Sequence, residues 1–237
     1  MNPPGPIADY CAEVAQQLRF DPQLACRVRA EIEDHLLEAL EARSEEASAD
    51  AQREAIRAFG DARQIARDFA AGALQSLARR TAVLTALAVI GVFVAMDARI
   101  AWNMWVAQPV MGEQTRAAAA IGIPIDRAAF ALAFVAALAA LALMMARRAP
   151  ARVDAAFGLR ITRCIRLAAT AVLALSAAVA TELVLAGIHL SEAKAASPAL
   201  VPALTLLVEC AAAVSVTAHL AATARRLSLA LRLADQS

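Results

Sequence analysis

The sequence predicts an all-α protein in two parts, a small N-terminal helical domain (3-4 helices) followed by a four-helix transmembrane bundle. Three observations carry this. Hydrophobic residues make up 60% of the 237, only 4% are aromatic, and the mean hydropathy is +0.55, more apolar surface than a soluble domain of this length hides. Apolar residues recur at helical spacing over residues 1–78 and merge into long apolar runs after them. The charge divides at the same place, with 14 acidic and 8 basic side chains up to residue 78 and 8 and 15 beyond it.

An acidic head disfavours direct binding to nucleic acid, which rests on Lys and Arg neutralising phosphates, and points to a protein partner instead. Cys11, Cys26, Cys164 and Cys210 are scattered, without a CxxC pair or zinc-finger spacing, so free or buried thiols are expected rather than disulfides or zinc. The opening MNPPGPIADYCAEV has Asp9 and Glu13 where a cleaved signal has basic and then apolar residues, so no such signal is expected.

In the head, Ile7, Tyr10, Cys11, Val14 and Leu18 form the apolar stripe of a first helix, backed by Asp9, Glu13, Gln16 and Gln17. Asp21-Pro22 reads as an N-cap and first helical residue, and Leu24, Val28, Ile32, Leu36 and Leu40 continue a stripe along a second helix. Ser44 to Ser48 breaks it. A third helix, roughly Ala49 to Phe59, ends at Gly60, the residue type that most easily takes a positive φ; Asp61 caps a fourth, with Gln64 three residues on and Ile65, Phe69 and Leu77 leading towards the membrane.

The runs Glu31-Ile32-Glu33-Asp34-His35-Leu36, Ala55-Ile56-Arg57-Ala58-Phe59-Gly60-Asp61 and Ile65-Ala66 resemble the HAAS signalling domain, over about a third of the chain. The resemblance implies a small helical domain joined to a membrane region, often encoded beside PadR-type transcriptional regulators and related to domains prefixed to permeases. The connection Arg43 to Asp50 is short and polar, lacking the glycine often found there. Glu31, Glu33, Asp34, His35, Glu38 and Asp61 are the candidate docking residues for a basic partner; the alternative is an ordinary solvated face. His35 lies on one helical face with Glu31, Asp34 and Glu38, but HExxH is absent and no metal is expected.

Beyond the head, residues 79–224 hold four spans at about 81–102, 128–146, 167–190 and 199–223, and residues 225–237 form a tail. Thr81 to Trp102, with Asp97 inside it, spans about 33 Å at 1.5 Å per residue, enough to cross a hydrocarbon core. The second span has a possible backward extension through Ala117 to Ile125. Arg79 and Arg80, six arginines between Arg147 and Arg166, and Arg225, Arg226 and Arg232 mark one side as cytoplasmic. Arg99, Arg116 and Arg127 are assigned with Lys194 to the outer side, where Trp102 and Trp105 suit an aromatic belt. The expected location is the bacterial inner membrane, multi-pass, with both termini cytoplasmic and lipid around the spans. Ala129, Ala133 and Ala137, and Ala171, Ala174 and Ala178, permit close helix approach, within one bundle or between copies in a homo-oligomer. Arg225 to Leu233 fits a short interfacial helix or a frayed end.

Glu182 and Glu209 are the unusual groups, because a carboxylate inside a span costs about 2.5–3.5 kcal/mol on insertion scales. Counted from the outer ends they lie at about 12 and 15 Å depth, so an antiparallel hairpin brings them level. With Asp97 in the same outer half and His189 seven residues from Glu182, they form a candidate intramembrane polar site for a proton, cation or small ligand. The alternative is carboxyl groups held by Thr181, Thr205 or Ser215. No GxSxG, HExxH or phosphate-binding loop is present, so neither an enzyme nor a cofactor is expected. These features predict a membrane sensor or regulator whose head docks a partner protein, with a PadR-type regulator first. The rival is an accessory subunit of an ABC-type permease or a small ion- or proton-coupled transporter.

Overall fold

A computed structural model describes residues 5–42, 48–107, 112–145, 155–192 and 200–235. Among these the chain forms α1 (Pro6–Gln17), α2 (Pro22–Ala42), α3 (Ala49–Phe59), α4 (Ala62–Trp102), a π-helical turn at Asn103–Ala107, α5 (Glu113–Met145), α6 (Ala155–Glu192) and α7 (Leu200–Asp235), with no strand. Most of the connection from Arg43 to Asp50, together with Arg147, Arg148, Arg152 and Lys194, falls outside the described residues.

The chain divides into two compact units. The first contains the described residues of 1–77 with those of 149–158 and 224–237. Its core joins the two expected stripes: Ile7, Tyr10, Cys11, Val14 and Leu18 from α1 and the turn after it, and Leu24, Val28, Ile32, Leu36 and Leu40 from α2, closed by Phe20, Ala55, Ala62 and Ala66. Ile65 and Phe69 pack on this core rather than leading away from it.

The helix ends explain themselves chemically. Asp21 Oδ1 accepts the amide of Leu24 at 3.2 Å, Ser48 Oγ that of Ala51 at 3.2 Å, and Asp61 Oδ2 that of Gln64 at 3.1 Å, each satisfying one orphan donor of a first turn. Gly60 has φ +120° and ψ −171°, a conformation essentially restricted to glycine, and its carbonyl accepts the Tyr10 hydroxyl at 3.0 Å. The last helix continues unbroken to Asp235; Ala230 packs on the head core and Arg226 Nη1 lies 3.5 Å from Asp21 Oδ2. The expected tail is therefore part of this unit.

The second unit holds the described residues of 78–148 and 159–223. Among the described residues, four helices are long and apolar enough to cross a membrane, at Ala62–Trp105, Glu113–Met145, Phe157–Glu192 and Pro202–Ala230, and only 17–39% of each apolar window is buried inside the protein. The remaining apolar surface suits lipid. The backward extension of the second span is real helix, since α5 runs from Glu113 through Pro124 without a break. The centre is built of small residues, Ala133, Ala136, Ala137, Ala171 and Ala174, with Val89, Val92, Leu175 and Val179. Gly122 serves the same close approach: a Cβ there would sit 3.1 Å from the Leu185 side chain.

Candidate functional site

Inside the second unit, the four long helices each contribute one charged side chain to a common level: Arg99 from α4, Asp126 from α5, Glu182 from α6 and Glu209 from α7. Arg99 donates from Nη2 to Glu182 Oε2 and from Nη1 to Glu209 Oε2, the latter at 3.3 Å. Glu209 is fully buried, while the side chains of Arg99 and Glu182 are 12% and 14% exposed. Asp126 is buried at 9% exposure and lies within electrostatic reach of Arg99, Glu209 and Arg127. Among the described residues, Glu209 Oε1 and Asp126 Oδ1 are buried without a hydrogen-bond donor, and Trp102 Nε1, one turn along α4 from Arg99, is buried without an acceptor.

This arrangement corrects part of the expected site. Glu182 and Glu209 come together, through a guanidinium rather than directly. Arg99, expected on the outer side, is the ion-pair partner within the bundle. Asp97 is exposed and is not one of the carboxylates that Arg99 binds. His189 is half-buried and lies near Glu192 instead. Thr181 and Thr205 turn back to the carbonyls of Ala177 and Pro202, so they do not hold the carboxylates.

Glu192 was not among the expected residues, although it joins two helix ends. Its carboxylate accepts the amides of Gln114 at 2.9 Å and Thr115 at 3.0 Å and also the Thr115 hydroxyl. A carboxylate on these orphan amides, at the positive end of α5, fastens the C-terminal end of α6 to the start of α5. A second polar contact lies nearer the other end of the bundle, where Thr81 Oγ1 is 3.2 Å from both His219 Nε2 and Thr223 Oγ1.

In the head, Glu31, Asp34, His35 and Glu38 are exposed on α2 and Glu33 is half-buried. His35 Nδ1 is 3.6 Å from Glu38 Oε2, both side chains largely in solvent, and no group of three or more potential metal ligands occurs among the described residues. Asp61 is occupied as the cap of α4, so its role is to start a helix. Leu37 was not singled out in the sequence. It is 45% exposed, with Glu33, Asp34, Glu38 and Glu41 three or four positions or one position away on the same helix. An apolar spot ringed by carboxylates is suited to a basic surface carrying an apolar anchor.

Burial also sets the head's weak acids. Tyr10 is pushed up to about 12 by burial, reinforced by the charges of Asp61, Cys11 and Glu13. The Cys11 thiol is raised by burial and by Glu33, with Arg29 opposing, which keeps it protonated and inert at neutral pH.

Neither the curated proteins nor the solved structures contain a match to the chain. A family match exists for the head, over the residues that form α1 to α3 and the start of α4. Residues 9–68 match the HAAS family, and the N-terminal part of this protein is a HAAS domain.

Proposed function

We propose that the protein is a multi-pass regulator of a bacterial inner membrane whose HAAS head, on the cytoplasmic side, docks a partner protein with a basic surface. The observation that carries this reading is the exposed face of α2, where Leu37 stands among Glu33, Asp34, Glu38 and Glu41 within the matched domain. The cytoplasmic placement rests on the excess of arginine at Arg79, Arg80, Arg160, Arg163, Arg166, Arg225 and Arg226. The family's association with PadR-type transcriptional regulators makes such a regulator the first partner to test. Signalling then needs no catalysed reaction, only a head that binds its partner with different affinity in two states of the membrane helices. The transport reading is weaker, because Arg99 already engages one oxygen of Glu182 and one of Glu209.

The test is binding of a PadR-type regulator to the full chain in lipid nanodiscs. We expect saturable binding that weakens as salt rises, is lost in Asp34→Lys/Glu38→Lys and falls at least tenfold in Leu37→Ser. Absence of binding, or binding indifferent to these substitutions, rejects the docking face.

A further inference from the structure

The buried cluster carries more acid than base. Arg99 faces Glu182 and Glu209 directly, and Asp126 is close enough to feel both Arg99 and Glu209. Three carboxylates against one guanidinium leave two negative charges uncompensated if every group is ionised. Arg127 is the other cation within reach of Asp126, and it is exposed. His189 on α6 lies towards Glu192, so it adds no neutralising partner, and Asp97 on α4, a further acid, is exposed.

The geometry shows where the deficit falls. The guanidinium takes Oε2 of both glutamates, which leaves Glu209 Oε1 and Asp126 Oδ1 buried with no donor. An ionised carboxylate oxygen in that position has lost water and gained nothing, the most costly state for such a group. A metal ion does not suit the deficit. Arg99 repels it, only two of the cluster's buried oxygens lack partners among the described residues, and hard cations such as Ca²⁺ need six or more oxygen ligands. A proton suits both oxygens, since it cancels a charge and turns an acceptor into a donor.

We propose that Arg99, Asp126, Glu182 and Glu209 form an intramembrane proton-binding site that retains at least one exchangeable proton, on Asp126 or Glu209, when the solution is near neutral pH. Uptake or release changes how strongly Arg99 is held, and Arg99 lies on α4, the helix whose first residues belong to the HAAS match. The site stands whatever the head binds.

Infrared spectroscopy of the full chain in nanodiscs tests it. The wild type is expected to show a carboxylic acid C=O band at neutral pH that disappears on alkaline titration, weakens in Asp126→Asn or Glu209→Gln, and is unchanged when Na⁺ is replaced by choline. Three results overturn the proposal: no such band in the wild type, a band that both variants retain in full, or a band that Na⁺ abolishes at constant pH, which makes the site a sodium site. Should either variant fail to fold, the wild-type band and its response to Na⁺ and alkali still decide.

Discussion

The two units of this protein are built inside out with respect to each other. The head buries Leu18, Val28, Ile32 and Leu36 and leaves most of its described carboxylates in solvent. The membrane unit buries Ala133, Ala137 and Ala171 together with Arg99, Glu182 and Glu209, and turns Leu173, Val214 and Leu87 outwards at 72%, 69% and 58% exposure. In water, removing apolar area from solvent drives the packing. In lipid the outside is as apolar as the inside, so close contact between small residues and polar pairing hold the helices together. The same residue type therefore has opposite value in the two units.

The sharpest test of that contrast is the ion-pair cluster. Arg99→Leu leaves Glu182 and Glu209 without their shared donor, and we expect a loss of about 3–5 kcal/mol, the usual cost of breaking a buried pair from one side. Denaturant unfolding of the full chain in micelles measures it. Combining Arg99→Leu with Glu182→Gln and Glu209→Gln should recover much of the loss, since neither residue that Arg99 held then carries a charge. A single variant as stable as the wild type would mean that the bundle does not depend on its charges, and would remove half of the contrast.

The contrast also explains what the sequence revealed and what it concealed. The head's stripes, caps and Gly60 turn were legible because a soluble helix displays its buried face as a periodicity and its ends as capping residues. Every stripe residue expected in α1 and α2 is buried. The four apolar helices were legible as hydropathy. The partner of the glutamates was not. A hydropathy profile does not show a charge as one half of a pair, so neither Arg99, three residues from the end of the first expected span, nor Asp126, two residues before the second, stands out as a partner of the glutamates. Whether such a residue faces lipid, water or a counter-charge depends on helix rotation, which an isolated apolar run does not fix. Leu37 escaped for the opposite reason, because one exposed leucine on a soluble helix is ordinary until its acidic surroundings are counted.

A matched pair of leucines probes the apolar side of the comparison. Leu36→Ala in the head core, where the side chain is 1% exposed, is expected to cost about 3 kcal/mol, read as faster amide exchange across α1 to α3. Leu173→Ala removes the same atoms from a position 72% exposed in the membrane unit, and should change stability by less than about 0.5 kcal/mol in lipid. Equal costs at the two sites would mean that Leu173 packs against another copy of the chain, and the inside-out description would then apply to an assembly.

A smaller effect than the loss of Leu36 is expected from a polar group on the head's apolar side. Tyr10 is buried in the core with its hydroxyl donating to the Gly60 carbonyl at 3.0 Å, so Tyr10→Phe should cost about 1 kcal/mol at neutral pH. The pH dependence has a definite sign. A phenol ordinarily ionises near pH 10, and in the folded head it ionises at about 12 because burial disfavours the phenolate. Between those values the unfolded chain releases the proton first, so it binds fewer protons than the folded chain and stability falls as pH rises. The contribution is fully present below about pH 10 and lost as pH passes 12. Other weak acids, the Cys11 thiol raised by burial among them, are common to wild type and variant. The difference between the two unfolding curves therefore isolates the phenol: it should be constant up to about pH 10 and shrink above it. A difference that grows with pH would mean that the phenolate, rather than the phenol, is the form the fold prefers.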